Sequence, residues 1–160
     1  MFNNLLKKKI SYKKFYAFAE GSVVRIEDVP DEVFSQKMMG EGIAIQPSNG
    51  VIYAPCNGTV IFIAETKHAI GIRTEAGIEI LLHLGLDTVK LDGRGIQIKC
   101  NIGDNIKENQ EIALIGEELL HNENVNMISI LIFTNLNGYK IKNIELGNVE
   151  QKSCLLQLHE

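Results

Sequence analysis

The sequence predicts an all-β protein: a β-sandwich, barrel-like in its closure, with an internal repeat and little helix. Three observations carry this. Short apolar runs of strand length are punctuated by glycine, asparagine and proline, as in Gly50-Val-Ile-Tyr-Ala-Pro, Gly58-Thr-Val-Ile-Phe-Ile and His68-Ala-Ile-Gly-Ile-Arg-Thr. A weak repeat relates Ala17-Phe-Ala-Glu-Gly-Ser-Val to Ala54-Pro-Cys-Asn-Gly-Thr-Val at an offset of 37 residues, each copy turning at a glycine into a β-rich run. Helical candidates are few and short.

In chain order, the first fifteen residues carry Lys7, Lys8, Lys9, Lys13 and Lys14 and no acid. With Phe2, Leu5, Leu6 and Ile10 among the lysines, residues 1–15 read as a basic leader. It is either a disordered segment or an amphipathic helix, and in the second case residues 1–14 touch an anionic membrane surface peripherally. A single domain over residues 16–160 follows. Pro30 precedes one helical candidate at 31–38, and a single turn is expected at 117–121. Between them, Gly77-Ile-Glu-Ile-Leu-Leu-His-Leu-Gly-Leu is apolar at nearly every position. That pattern suits a strand covered on both faces, or one whose outer face stays apolar for a partner. Glu79 and His83 are its polar interruptions.

Composition narrows the function classes. The chain has 160 residues, 45% hydrophobic and 22% charged, which suits one soluble globular domain with no need of a metal or disulfide staple. No apolar run reaches membrane-spanning length, and the basic start lacks the apolar core of a secretory signal, so a cytoplasmic protein is expected. Cys56, Cys100 and Cys154 are widely separated and read as reduced structural thiols. The net charge is −4; removing the +5 of the leader leaves −9 on the body. An acidic body argues against nucleic acid and suits docking onto a basic protein surface.

His68 and His83 lie fifteen positions apart, in or beside apolar strands with a turn near Glu75-Ala76-Gly77. If those strands pair antiparallel, both imidazoles reach the same patch of sheet. Spacing alone leaves open whether they are catalytic or are ordinary hydrogen-bonded core residues.

The surrounding text decides. Thr66-Lys67-His68-Ala69-Ile70-Gly71-Ile72 resembles one active-site segment of the glucose-type IIA proteins of the bacterial phosphoenolpyruvate-dependent sugar phosphotransferase system. Gly77, followed by Ile80-Leu81-Leu82-His83-Leu84-Gly85-Leu86-Asp87-Thr88-Val89, resembles the other. The similarity extends through Glu27 to Phe34, Met39 to Pro47, Ala54-Pro55 and Gly58-Thr59-Val60, and spans roughly residues 16 to 158. It implies a duplicated hybrid type of β-sandwich.

By that resemblance His83 is the phosphoacceptor, His68 hydrogen-bonds the phosphoryl group, and Thr66 orients an active-site imidazole. Asp31, Phe34, Leu81 and Asp87 match positions that dock partners, although each acid also fits a solvated loop, and Phe34 fits a core. The implied partners are a small histidine-phosphorylated carrier protein as donor and the IIB domain of a sugar permease as acceptor. The chemistry agrees: neutral imidazole is a competent nucleophile, and its phosphoramidate transfers readily onward. No Mg²⁺ site or nucleotide loop is visible, so no cofactor is expected. For some relatives the resemblance implies zinc bridging the equivalents of His68 and His83 once a partner adds a ligand.

The chain departs from the family at Ala17-Phe18, where relatives begin Ala-Pro, at Asn109-Gln110, where a repeated turn has Gly-Asp, and at Ile115-Gly116, where relatives have an aromatic residue then aspartate. These positions lie away from the histidine segments. Two other readings compete: a lysostaphin-type zinc peptidase, which needs an H-x-H pair this chain lacks, and a non-catalytic regulatory β-sandwich. A free-standing subunit is expected rather than a fragment.

Overall fold

Strand runs of two to seven residues, separated by tight turns, build almost everything in the computed structural model, which describes residues 12–160. The strands are β1 (Tyr12–Tyr16), β2 (Gly21–Arg25), β3 (Glu41–Pro47), β4 (Val51–Tyr53), β5 (Gly58–Ile63), β6 (Ala69–Arg73) and β7 (Glu79–His83). There follow β8 (Ile96–Ile98), β9 (Asn105–Ile106), β10 (Glu111–Ile115), β11 (Ser129–Asn135), β12 (Lys140–Ile144), β13 (Gly147–Val149) and β14 (Cys154–His159). Helix is confined to α1 (Glu32–Ser35), α2 (Glu117–Leu120) and two 3₁₀ turns, Ile26–Asp28 and Thr88–Leu91. None of these is long and apolar enough to cross a membrane, among the described residues.

An eight-stranded sheet runs in the order β13-β2-β3-β11-β7-β6-β5-β9, and two three-stranded sheets run β1-β14-β12 and β4-β10-β8. The order is that of a duplicated unit. β7 and β11 pair at the centre, and each is flanked outward by three strands. The two small sheets also correspond, strand for strand. Their junction is reciprocal: Tyr16 N–H donates to the Pro55 carbonyl and Tyr53 N–H to the Phe18 carbonyl, both at 2.8 Å and both related by the 37-residue offset. Reciprocal contacts of this kind are the mark of a two-fold arrangement.

The larger core lies between the eight-stranded sheet and the small sheets, and a second cluster covers the sheet's other face. β7 shows why both form. Ile80 and Leu82 are buried in the larger core, while Leu81 and His83 alternate onto the opposite face. There Leu81 packs against the second cluster, which includes Phe34, Leu86, Ile130 and Ile132. The near-continuous apolar run is thus a strand with apolar residues toward both faces.

Two expectations need correction. The leader expected over residues 1–15 overlaps the domain, because Tyr12–Tyr16 is a strand paired with β14 from Tyr12↔His159 to Tyr16↔Cys154. Phe15 is 1% exposed and meets Phe133 edge-on at 5.2 Å, so its burial brings Lys13 and Lys14 into the domain. The proposed membrane contact of residues 1–14 therefore falls mostly on residues 1–11, which lie outside the described residues. The helix expected at 31–38 spans only Glu32–Ser35. Lys37 adopts a left-handed φ of 58°, with Met38 N–H bonded to the Val33 carbonyl and Lys37 N–H to the Phe34 carbonyl. That is a Schellman stop with lysine where glycine is usual. The Lys37 ammonium, paired with Glu27 and Glu41 at 3.0 and 3.2 Å, helps hold it.

Phe15→Ala tests the place of β1 in the fold. Removing this ring is expected to cost about 3–5 kcal/mol in urea unfolding, whereas a peripheral leader residue would change stability by less than about 0.5 kcal/mol.

Candidate active site

The site grows out of one hairpin. β6 and β7 pair antiparallel with Ala69 opposite His83, and Leu84 N–H donates to the His68 carbonyl at 2.7 Å. His68 immediately precedes β6 and His83 ends β7, so the register sets the two rings side by side. Their centroids are 5.1 Å apart and their planes meet at 69°. On another side, the Phe34 ring stands edge-on to His83 at 4.9 Å.

Each imidazole is held through Nδ1. In His83, Nδ1 lies 2.8 Å from the Gly85 carbonyl oxygen, which can only accept, so Nδ1 carries the proton and Nε2 the lone pair. In His68, Nδ1 makes a short contact with the Thr66 hydroxyl. Lys67 between them takes a left-handed φ of 60°, which turns the chain sharply between the hydroxyl and the ring. Among the described residues, no hydrogen bond engages Nε2 of either histidine.

Burial pushes the His83 pKa below its ordinary 6.5. The hydrogen bond to the Gly85 carbonyl opposes this, neighbouring His68 adds to it, and the charges of Asp31 and Asp87 oppose it more weakly. Burial likewise lowers the pKa of His68. Both rings are therefore neutral near pH 7, and His83 presents a nucleophile rather than a cation.

The other expected residues are placed as follows. Asp31 is half-buried and caps α1, its carboxylate accepting from Val33 N–H at 2.9 Å, while its charge still reaches His83. Asp87 is exposed at the start of the 88–91 turn, with a left-handed φ of 54° and no capping bond from its side chain. Phe34 belongs to the second core cluster, as the core reading expects, and its ring also meets His83. Leu81 is half-buried on the face that bears His83. Thus His68, His83, Thr66 and Phe34 come together, with Asp31 and Asp87 within electrostatic reach.

Sequence reasoning missed two features. One is the Gly85 carbonyl, which a sequence shows only as a glycine two residues after a histidine. The other is a set of exposed apolar side chains on the flanking turns: Val33 at 43%, Met38 at 70%, Met39 at 38% and Val89 at 51%. Short acidic turns have no periodicity to flag them. Of the ligands zinc needs, this chain offers the two imidazoles; among the described residues no third histidine, cysteine or carboxylate joins them, so a tetrahedral centre would need ligands from elsewhere.

A neutral, half-buried imidazole with one nitrogen tied back, a second imidazole against it and an apolar surround form a surface site suited to group transfer between proteins. Comparison with known proteins gives that class a family. Residues 13–139 match the model of the phosphoenolpyruvate-dependent sugar phosphotransferase system, EIIA 1. The chain belongs to this family, the phosphoryl carriers of sugar uptake.

Relatives agree along most of the length. The glucose-specific EIIA component of Staphylococcus epidermidis is 43% identical over 132 residues, 82% of this chain and 80% of that protein. The glucose-specific EIICBA component of Staphylococcus carnosus is 43% identical over 136 residues, 85% of this chain and 20% of that much longer protein. The structure of glucose permease IIA from Mycoplasma capricolum superposes with a TM-score of 0.87 at 33% identity, covering 92% of this chain and 96% of that one.

The lowered histidine pKa values fix the sign of a pH effect. Below pH 6.5 the unfolded chain binds protons that the folded imidazoles refuse. Their contribution leaves stability unimpaired above 6.5 and lowers it as the pH falls from 6.5 through the folded values. Urea unfolding between about pH 7.5 and 5 is expected to show a shallower acid-side decline in His83→Gln than in the parent; equal slopes would count against the buried neutral ring.

Proposed function

We propose that His83 Nε2 accepts a phosphoryl group from the phosphohistidine of a small histidine phosphocarrier protein and passes it to a cysteine thiolate on the IIB domain of a sugar permease. The Nδ1 contact with the Gly85 carbonyl carries this reading, because it leaves the lone pair on Nε2. In the first step the donor's P–N bond breaks, its imidazole keeps the electron pair, and a P–Nε2 bond forms on His83. The positive charge that develops on the ring is met by the Gly85 carbonyl and by Asp31 and Asp87. In the second step the thiolate attacks phosphorus, an S–P bond forms, and His83 recovers its lone pair.

His68 donates from Nε2–H to the phosphoryl oxygens, a tautomer that the Thr66 hydroxyl holds by donating to Nδ1. Such transfer depends on in-line alignment and on donors for the equatorial oxygens more than on covalent help. Val33, Met38, Met39, Leu81 and Val89, with Asp31 and Asp87 among them, form a docking face that excludes water from the transferring group. Relatives named for fused EIICBA components support the IIB partner, and relatives named for glucose and for glucosides support a glucose-type sugar. This reading places the chain in the cytoplasm, where its phosphorylated donor works.

Intact-protein mass spectrometry tests the acceptor. After incubation with phosphoenolpyruvate, enzyme I and the histidine phosphocarrier, one acid-labile gain of about 80 Da is expected in the wild type and none in His83→Ala. A folded wild-type protein that gains nothing would end the reading.

His68→Gln separates the two roles. It is expected to accept phosphate on His83 but to donate it roughly 100-fold more slowly. A folded variant unable to accept at all would reverse the assignment.

A further inference from the structure

Among the described residues two polar side chains are buried outright, Thr88 at 1% exposure and Ser129 at 0%. Thr88 opens the 88–91 turn that follows His83, and Ser129 opens β11. The Thr88 hydroxyl donates to the Leu84 carbonyl at 2.6 Å, and the Ser129 hydroxyl to the Met127 carbonyl at 2.9 Å. A buried hydroxyl costs free energy unless it is bonded, and at Thr88 the same bond satisfies the Leu84 carbonyl, which valine would leave without that donor. That bond ties the hydroxyl to the backbone of the 84–86 turn and so invites a use beyond packing.

Backbone geometry supplies one. The Gly85 carbonyl that holds His83 belongs to the Gly85–Leu86 peptide, whose N–H donates to the Asn126 carbonyl at 2.8 Å. In a planar trans peptide N–H and C=O point in opposite directions, so anchoring that N–H aims the carbonyl back toward the histidine. The preceding peptide is fixed through the Leu84 carbonyl by Thr88, and Leu84 N–H is fixed by the His68 carbonyl. Between these two planes only the Gly85 dihedrals remain free, at a φ of 79°. A Cβ on Gly85 would lie 2.5 Å from Thr88 Cγ2 and 2.9 Å from Met127 Sδ, so Thr88 and Met127 enclose this residue closely.

We infer that Thr88 is a positioning residue for His83: its hydroxyl, by holding the Leu84 carbonyl, sets the turn that aims the Gly85 carbonyl at Nδ1 and so decides which ring nitrogen bears the reactive lone pair. The inference rests on His83 being the phosphoacceptor, and its consequence is directional. Without the hydroxyl, the 84–86 turn loosens, the Nδ1–H contact weakens, and a share of the neutral rings carries the proton on Nε2, where it blocks attack on phosphorus.

Thr88→Val tests this. Nitrogen NMR of ¹⁵N-labelled protein at neutral pH is expected to show His83 protonated on Nδ1 in the wild type and a mixture of tautomers in the variant. The kcat for phosphoryl acceptance is expected to fall roughly 10-fold or more, with the KM for the phosphorylated donor unchanged because the docking face is intact. Thr88→Ser, which restores the hydroxyl without the methyl, is expected to recover both tautomer and rate. If Thr88→Val does not fold, Thr88→Ala against Thr88→Ser isolates the hydroxyl in a smaller side chain. A wild-type tautomer and rate without the hydroxyl, or a serine variant no better than its hydroxyl-free partner, would overturn the inference. A wild-type protein that takes no phosphate would instead defeat the acceptor reading, while the tautomer comparison would still judge Thr88.

Discussion

The antiparallel pairing of β7 with β6 on one side and β11 on the other sets His83 opposite Ala69 and Ile130. Because side chains alternate along a strand, a slip of one residue in either ladder would turn His83 into the larger core and bring Leu82 onto the site face. Burial of Ile80 and Leu82 on one side and the packing of Leu81 on the other make such a slip expensive. The same register leaves His68 at the mouth of the hairpin, beside His83 rather than on the far face. Core packing thus specifies the geometry of the histidine pair before any polar contact is made.

Burial then does chemical work. Partial removal of His83 from water disfavours its cation, and the Gly85 carbonyl limits that effect while choosing the tautomer. A ring buried without such an acceptor would be neutral but free to hold its proton on either nitrogen. A ring tied to a carboxylate would be fixed but prone to stay charged. A backbone carbonyl orients without adding full charge, which suits the accept-and-donate role proposed for His83.

How far the sequence discloses this depends on the range of the interaction. The β6–β7 hairpin is local, so its apolar text and turn show in the spacing of His68 and His83. α1 is legible at its start, where Asp31 follows Pro30 as an N-cap, but not at its end, because lysine rather than glycine takes the left-handed position. β1 is illegible for a different reason. Its partner β14 lies at the opposite end of the chain, and Lys13-Lys14 resembles a continuation of the basic leader. The docking roles proposed for Asp31 and Phe34 are harder to read, since one residue also caps a helix and the other also fills a core. The Gly85 carbonyl is hidden because backbone direction depends on what the neighbouring peptides bond to, here Asn126 and Thr88.

The duplication bears on stoichiometry. Aligning the halves by their ladders carries β5 onto β2 and β6 onto β3, and places Ile132 at the counterpart of His83 and Glu41 at the counterpart of His68. Ile132 is fully buried in the cluster that Ile26, Val29 and Phe34 close, and Glu41 is bound by Lys37. A scaffold built twice thus carries its histidine pair once. The counterpart position is the seat of the 26–36 segment, whose Phe34 ring reaches the histidine in the other half. One chain therefore holds one histidine pair on a scaffold whose two-fold junction lies within a single molecule.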